Sequence, residues 1–102
     1  LDVKYEGIPK FPAMVRDISL TMKKELLAGQ VEDVIRKKGG ALVENYELFD
    51  VYEGAQIMEG HKSLAYKITF RAKDRTLTDE EVSNAMDKII KTLEEMGATL
   101  RK

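Results

Sequence analysis

Residues 62–72 read Lys-Ser-Leu-Ala-Tyr-Lys-Ile-Thr-Phe-Arg-Ala, and this stretch decides the fold of the chain. Large apolar side chains stand at every second position from Leu64 to Phe70, with small or polar residues between them. Because neighbouring side chains of a strand leave opposite faces, the alternation predicts a strand that is buried on one face only. Ser63 belongs to the second set, so we expect it on an uncovered face of the sheet.

The segment after this strand predicts a helix over residues 79–96. Thr78 and Glu81 have the spacing of a capping box, in which each side chain accepts a hydrogen bond from the other residue's backbone amide. The apolar residues that recur at helical spacing are Val82, Ala85, Met86, Ile89, Leu93 and Met96. Gly97 is predicted to end the helix, because glycine accepts the left-handed conformation found at many helix ends.

The chain before residue 62 predicts a strand, a helix and a long second strand. These elements cover residues 13–22, residues 29–38 before Gly39-Gly40, and residues 41–53. Apolar residues of the second strand change face midway along it. This change predicts a bulge or a strong twist near residues 44–47.

With a short final strand over residues 98–101, the elements follow the order β-α-β-β-α-β. This is the ferredoxin-like split βαβ arrangement, an α+β fold with a four-stranded antiparallel sheet. Right-handed crossovers place both helices on one face of the sheet and leave the other face free. Residues 1–12, which contain Pro9 and Pro12, are predicted to form an extended arm before the folded domain of residues 13–102.

Size and composition exclude several classes of protein. The 102 residues suffice for one domain, and the net charge is −1. The absence of cysteine and the single histidine, His61, exclude disulfides, thiol chemistry and a structural zinc site. No signal peptide or membrane-spanning apolar run is present, and no catalytic set of side chains stands out. We interpret the chain as a non-catalytic binding module and, since it begins at Leu1, as a fragment of a larger protein.

Charges of opposite sign are segregated along the middle of the chain. Residues 44–59 carry acidic side chains and no basic one, whereas residues 62–75 are mainly basic. If the two blocks form adjacent antiparallel strands, opposite charges face each other across the hairpin. The net charge gives no general attraction to nucleic acid.

The stretch Leu48-Phe49-Asp50-Val51-Tyr52 places a carboxylate and a phenol two residues apart near the end of the second strand. Their side chains are therefore expected on the same face, side by side. Such a pair fits an unstacked nucleobase, because the ring stacks on the base while the carboxylate accepts hydrogen bonds from its edge. A standard RNA-recognition motif is not indicated, since its third strand needs outward aromatics where this chain has Ala65, Lys67 and Thr69.

A set of ordered motifs resembles one family over nearly the whole chain, from about Tyr5 to Arg101. The motifs are Phe11-Pro12-Ala13, Arg16-Asp17, Leu48-Phe49-Asp50-Val51-Tyr52, Gly60-His61-Lys62-Ser63-Leu64-Ala65 and Arg75-Thr76-Leu77-Thr78-Asp79-Glu80-Glu81-Val82. Together they resemble the ferredoxin-fold anticodon-binding domain that closes the beta chain of bacterial phenylalanyl-tRNA synthetases. One departure is Ala98, because an aromatic residue often follows the final glycine in that family.

The resemblance implies that the chain binds the anticodon stem-loop of the phenylalanine tRNA. The first anticodon base, a guanine, would stack on Tyr52 and lie beside Asp50. The RNA-binding residues that the resemblance implies are Asp50, Tyr52, Ser63, Arg101, Arg16 and Lys62.

The resemblance also implies a cytoplasmic assembly with the rest of a beta chain and with an alpha chain, away from any membrane. ATP, magnesium and phenylalanine are handled by the alpha chain in such enzymes, so no cofactor or metal is expected in this domain. From the residues alone, two alternatives of the same fold class stay open. One is a small-molecule regulatory module of the ACT type, and the other is a structural interaction domain.

Overall fold

The computed structural model describes residues 11–52, 57 and 59–100. Its elements are β1 (Met14–Lys23), α1 (Ala28–Gly39), a 3₁₀ turn (Gly40–Leu42), β2 (Val43–Tyr52), β3 (His61–Phe70), α2 (Asp79–Glu95) and β4 (Thr99–Leu100). The predicted order β-α-β-β-α-β is confirmed, with small shifts at the element ends. Residues 1–10 of the predicted arm, residue 53 of the predicted second strand and residue 101 of the predicted final strand lie outside the described residues.

The four strands form one antiparallel sheet in the order β2-β3-β1-β4. The two central strands pair over their whole length, from Met14 opposite Phe70 to Lys23 opposite His61. Strand β2 lies at one edge of the sheet and the two-residue β4 at the other. Side chains of β2 and β1 therefore flank β3 on both faces of the sheet.

The core lies between the sheet and the two helices. The apolar set of β3 contributes Leu64, Tyr66, Ile68 and Phe70, each at most 2% exposed. The other members of the same cluster come chiefly from β1 and from the buried stripes of both helices: Ile18, Leu20, Met22, Val31, Val34, Ile35, Val82, Ala85, Ile89 and Leu93. Both helices thus pack on one face, which confirms the predicted α+β ferredoxin-like architecture.

The ends of α2 follow the predicted signals. The backbone amide of Glu81 donates to Thr78 Oγ1 at 3.1 Å, and the amide of Thr78 donates to Glu81 Oε1 at 3.1 Å, which completes the capping box. At the other end Gly97 has a φ of +101°, and the amide of Ala98 donates to the Leu93 carbonyl at 2.9 Å. This is a Schellman closure, and it turns the chain back toward β4.

Opposite charges do face each other across the β2–β3 hairpin, as predicted. Arg71 Nε lies 2.7 Å from Glu44 Oε1, and Glu47 stands directly opposite Lys67. Arg71 also donates to the backbone carbonyl of Phe11 at 2.8 Å. None of the described helices has the length and apolar character needed to cross a membrane.

Candidate nucleic-acid interface

The sheet face opposite the helices, here called the open face, carries three of the predicted site residues side by side. Tyr52 pairs directly with Ser63 across the hairpin, and Asp50 pairs with Ala65. Ser63 and Ala65 alternate with the buried Leu64, so they leave the face that the helices do not cover. Directly opposed side chains of antiparallel strands have Cβ atoms about 4.5–5.5 Å apart. Asp50, Tyr52 and Ser63 therefore lie next to one another on the open face.

A bulge in β2 decides that Asp50 and Tyr52 reach the open face. Leu48 pairs with Tyr66 on the helix-covered face, and plain alternation would send Asp50 and Tyr52 to that same face. The register shifts between Leu48 and Asp50, so Phe49 is an extra residue in β2. Its insertion moves both side chains to the uncovered side of the sheet.

The predicted bulge near residues 44–47 is also present, as a register shift between Val43 and Asn45. The bulge at Phe49 was not predicted. A signal for it exists in the sequence, because Leu48 and Val51 are both apolar but three residues apart. They pair with neighbouring positions of the same sheet face only because an extra residue lies between them.

Ser63 differs from the other two residues of the site in being almost completely buried. It is 1% exposed although no helix covers this face, and its Oγ has no hydrogen-bond partner within the described part of the chain. Leaving a buried hydroxyl unpaired costs about 1–3 kcal/mol, and a native structure that keeps such a group calls for an explanation. A ligand that displaces the cover of this position would meet a hydroxyl able both to donate and to accept.

The other two residues are accessible. The side chain of Tyr52 is 47% exposed, and Asp50 is half-buried. A half-exposed ring offers a stacking surface, and a carboxylate beside it is a pure acceptor. The arrangement suits a flat ligand whose edge presents hydrogen-bond donors.

The remaining predicted contacts do not join this group. Arg16 pairs with Ile68, which places it on the helix-covered face, where its Nη2 lies 3.6 Å from Asp79 Oδ1. Lys62 pairs with Met22 on that same face. The alternation of both strands already indicated this placement, so position in the sheet does not support either as a partner of Tyr52. Arg101 lies outside the described residues.

Ala98, the noted departure, is 2% exposed and belongs to the core cluster. In this chain the position therefore packs inward and presents no side chain at the surface.

A cavity of about 770 Å³ lies at the other end of β2, away from the site. Its lining comes from two segments, residues 41–44 and residues 71–75. The arginines there are paired, Arg71 with Glu44 and Arg75 with Glu81 at 2.5 Å. The guanidinium of Arg75 holds the pKa of the Glu81 carboxyl below its usual range. Among the described residues no group of three or more His, Asp or Glu side chains is arranged to hold a metal ion.

Comparison with known proteins identifies the family of the chain. Residues 9–101 match the model of the ferredoxin-fold anticodon binding domain. The chain is 52% identical to the phenylalanine–tRNA ligase beta subunit of Clostridium tetani over 102 residues, covering 99% of this chain and 13% of that protein. It is 45% identical to the beta subunit of Clostridium acetobutylicum, with the same coverage. It is 48% identical to that of Moorella thermoacetica, covering 97% of this chain and 12% of that protein.

The chain spans only 12–13% of the length of these relatives. The family match, in contrast, covers nearly all of the chain and includes every described strand and helix. The chain therefore belongs to the ferredoxin-fold anticodon binding domain family.

Proposed function

We propose that this chain is the anticodon-binding module of a phenylalanine–tRNA ligase beta subunit and that it recognises the anticodon stem-loop of the phenylalanine tRNA on its open face. The observation that carries the proposal is the adjacency of Asp50, Tyr52 and Ser63 on the sheet face opposite the helices, where the buried Ser63 hydroxyl has no hydrogen-bond partner among the described residues. Family membership and the names of the relatives support the choice of ligand.

In this proposal one unstacked base, the first of the anticodon, lies on the ring of Tyr52. Stacking on an aromatic side chain contributes about 1–3 kcal/mol per base. If that base is guanine, its Watson–Crick edge carries N–H donors, which the Asp50 carboxylate accepts. Ser63 lies directly across from Tyr52, and its hydroxyl, which has no partner among the described residues, hydrogen-bonds to the RNA once the RNA displaces what covers it.

The module supplies position and no chemistry. Within the proposed enzyme, ATP, magnesium and phenylalanine are handled by the alpha chain in the cytoplasm. The module holds the far end of the tRNA while the acceptor end reaches the distant active site. A net charge of −1 gives the isolated chain little general attraction for phosphates, so other parts of the enzyme supply most of the backbone contacts.

The test is titration of the phenylalanine anticodon stem-loop onto the chain at fixed salt, with Tyr52→Ala and Asp50→Ala as the variants. Each is expected to weaken binding by about 5- to 150-fold, the equivalent of about 1–3 kcal/mol, without loss of the folded circular dichroism spectrum. Glu47→Ala is the matched control, because Glu47 is an acidic residue of the same strand and, opposite Lys67, of the same face.

Binding by both site variants that equals binding by the parent chain would rule out the site. An unfolding temperature that rises with an added amino acid and ignores the stem-loop would favour a regulatory module of the ACT type. A response to neither ligand would favour a structural interaction domain.

A further inference from the structure

Two aromatic side chains of β2 are exposed, and the proposed site uses only one of them. Phe49 is 49% exposed and Tyr52 is 47% exposed. Among the described residues, the other exposed large apolar side chains are not aromatic: Val15, Leu27, Val51 and Met96. Phe49 is not among the side chains that pack against the core, whereas its neighbour Leu48 is.

The bulge gives Phe49 its direction. Leu48 pairs with Tyr66 and Asp50 pairs with Ala65, so the two residues Phe49 and Asp50 share the single opposing residue Ala65. Leu48 points to the helix-covered face, and the next side chain of a strand leaves the opposite face. Phe49 and Asp50 therefore both stand on the open face.

The residues of β3 and β1 next to these side chains on the open face have short side chains. Ala65 is 4% exposed although the helices lie on the other side of the sheet, in agreement with large side chains standing beside it. On the far side Ala65 pairs with Ser19, and Ser63 pairs with Thr21. The open face beside β2 is thus formed by short side chains: Ser63, Ala65, Ser19 and Thr21. None of them projects far enough to block a base that lies against Phe49 or Tyr52.

The spacing of the two rings suits consecutive nucleotides. Phe49 and Tyr52 are three residues apart in a bulged strand, which at a rise of about 3.3 Å per residue separates them by at most about 10 Å. Successive bases of an extended single strand can span this distance, whereas one base cannot cover both rings. Bulges are enriched beside functional sites, where they re-aim a side chain.

We propose that Phe49 is a second stacking platform, which takes the nucleobase adjacent to the one on Tyr52. Asp50, between the two rings, then accepts from the edge of the first base while Phe49 holds its neighbour. The inference rests on the proposed function, because it presumes that single-stranded RNA occupies the open face.

Phe49→Leu tests the proposal, because it removes the ring and keeps an apolar side chain. Binding of the phenylalanine anticodon stem-loop is expected to weaken by about 5- to 150-fold at fixed salt. Val51→Ala is the matched control, because Val51 is 51% exposed on the same strand but pairs with Leu64 on the other face. It is expected to leave binding within about twofold.

The lack of tryptophan in the chain allows a direct optical readout. Phe49→Trp introduces a single indole that retains stacking, so binding is expected to match the parent or exceed it, and the stem-loop is expected to quench the indole fluorescence. Val51→Trp carries the same fluorophore on the other face and is expected to show no quenching.

Failure of this inference and failure of the proposed function give different results. If Phe49→Leu binds normally and Phe49→Trp is not quenched while Tyr52→Ala still loses affinity, the second platform is absent and the proposed function stands. If none of these variants changes binding, both are wrong. If Phe49→Leu weakens association with the rest of the subunit and leaves stem-loop binding intact, Phe49 contacts protein and the inference is overturned.

Discussion

The two faces of β3 carry the same alternation but serve opposite purposes. On the helix-covered face, Tyr66 and Phe70 are fully buried, and the Tyr66 hydroxyl donates to Glu32 Oε2 at 3.0 Å. On the open face, Ser63 is as buried as these residues, yet its hydroxyl has no partner within the described residues. The helix-covered face buries large apolar side chains, and the hydroxyl of Tyr66 is hydrogen-bonded there, so this face stabilises the fold. The other holds, within the part of the chain that the structure describes, an unpartnered buried hydroxyl beside an exposed ring, and such a group calls for an explanation.

The largest expected effect is on the covered face. Phe70→Ala removes a fully buried ring and is expected to lower the free energy of unfolding by about 3–5 kcal/mol, measured by urea denaturation. Because a small domain has only about 5–15 kcal/mol in total, much of the chain would unfold at 37 °C. A loss no larger than that of an exposed-site control such as Val15→Ala would show that the core does not depend on this face.

The next effect has the opposite sign and lies on the open face. Ser63→Ala removes a buried hydroxyl that has no partner among residues 11–52, 57 and 59–100, and it is expected to raise the free energy of unfolding by up to about 1–3 kcal/mol. The same variant is expected to bind the anticodon stem-loop about 2- to 10-fold more weakly, since a hydrogen bond contributes about 0.5–1.5 kcal/mol. The reciprocal control, Ala65→Ser, places a hydroxyl at the neighbouring buried position and is expected to destabilise the chain. A destabilised Ser63→Ala variant would mean that the hydroxyl is satisfied in solution.

Loss of the α2 cap sharpens the comparison from the helix side. Thr78→Ala removes the acceptor for the Glu81 amide and is expected to cost about 1 kcal/mol of stability, measured by thermal unfolding. Stem-loop affinity should stay within about twofold, because the cap supports only the covered face. Thr78→Ser retains the hydroxyl and serves as the control. A binding defect in Thr78→Ala at a temperature where it is fully folded would show that the two faces are coupled.

The smallest effect concerns pH. Burial, together with the hydrogen bond to Glu32, raises the pKa of Tyr66 well above its ordinary value. The unfolded chain therefore loses this proton near pH 10 while the folded chain keeps it. The contribution of Tyr66 to the free energy of unfolding is therefore fully present below about pH 10 and declines as the pH rises further.

Tyr66→Phe tests this linkage. The variant is expected to lose about 0.5–1.5 kcal/mol at neutral pH through the missing hydrogen bond, and to decline less steeply than the parent chain above pH 10. Parallel stability curves for the two proteins across pH 8–11 would contradict the assignment. The comparison with the parent cancels the titration of lysines, which both proteins share.

Much of the fold was predictable because it depends on local periodicity. Three features act within a few residues and can be read directly from the sequence. They are the alternation from Leu64 to Phe70, the capping box at Thr78 and the glycine at position 97. Together these signals predicted that one face of the sheet has no helix on it. Ser63 was predicted on that face, and the structure places it there. The two-residue spacing of Asp50 and Tyr52 in a strand selected them as the pair of interest, and the motif resemblance added the ligand.

Arg16 and Lys62 were assigned to RNA binding from the resemblance alone, and their positions in the sheet do not support that assignment. Both have the parity of the buried set in their own strands, and the structure places them on the helix-covered face. Strand alternation is set by backbone geometry, so it is a stricter constraint than a shared motif. Their role in RNA binding stays a prediction without support from position.

The sequence by itself determined the order of the elements, the one-sided burial of β3 and the helix ends, because each follows from local backbone preferences and apolar spacing. Only the tertiary structure decided which face receives Asp50 and Tyr52. That depends on where β2 accommodates its extra residue, Phe49, and the choice is fixed by the pairing of Leu48 and Val51 with β3. Register is a property of two strands together, so the spacing of Leu48 and Val51 signals an extra residue, but only the pairing with β3 decides its position.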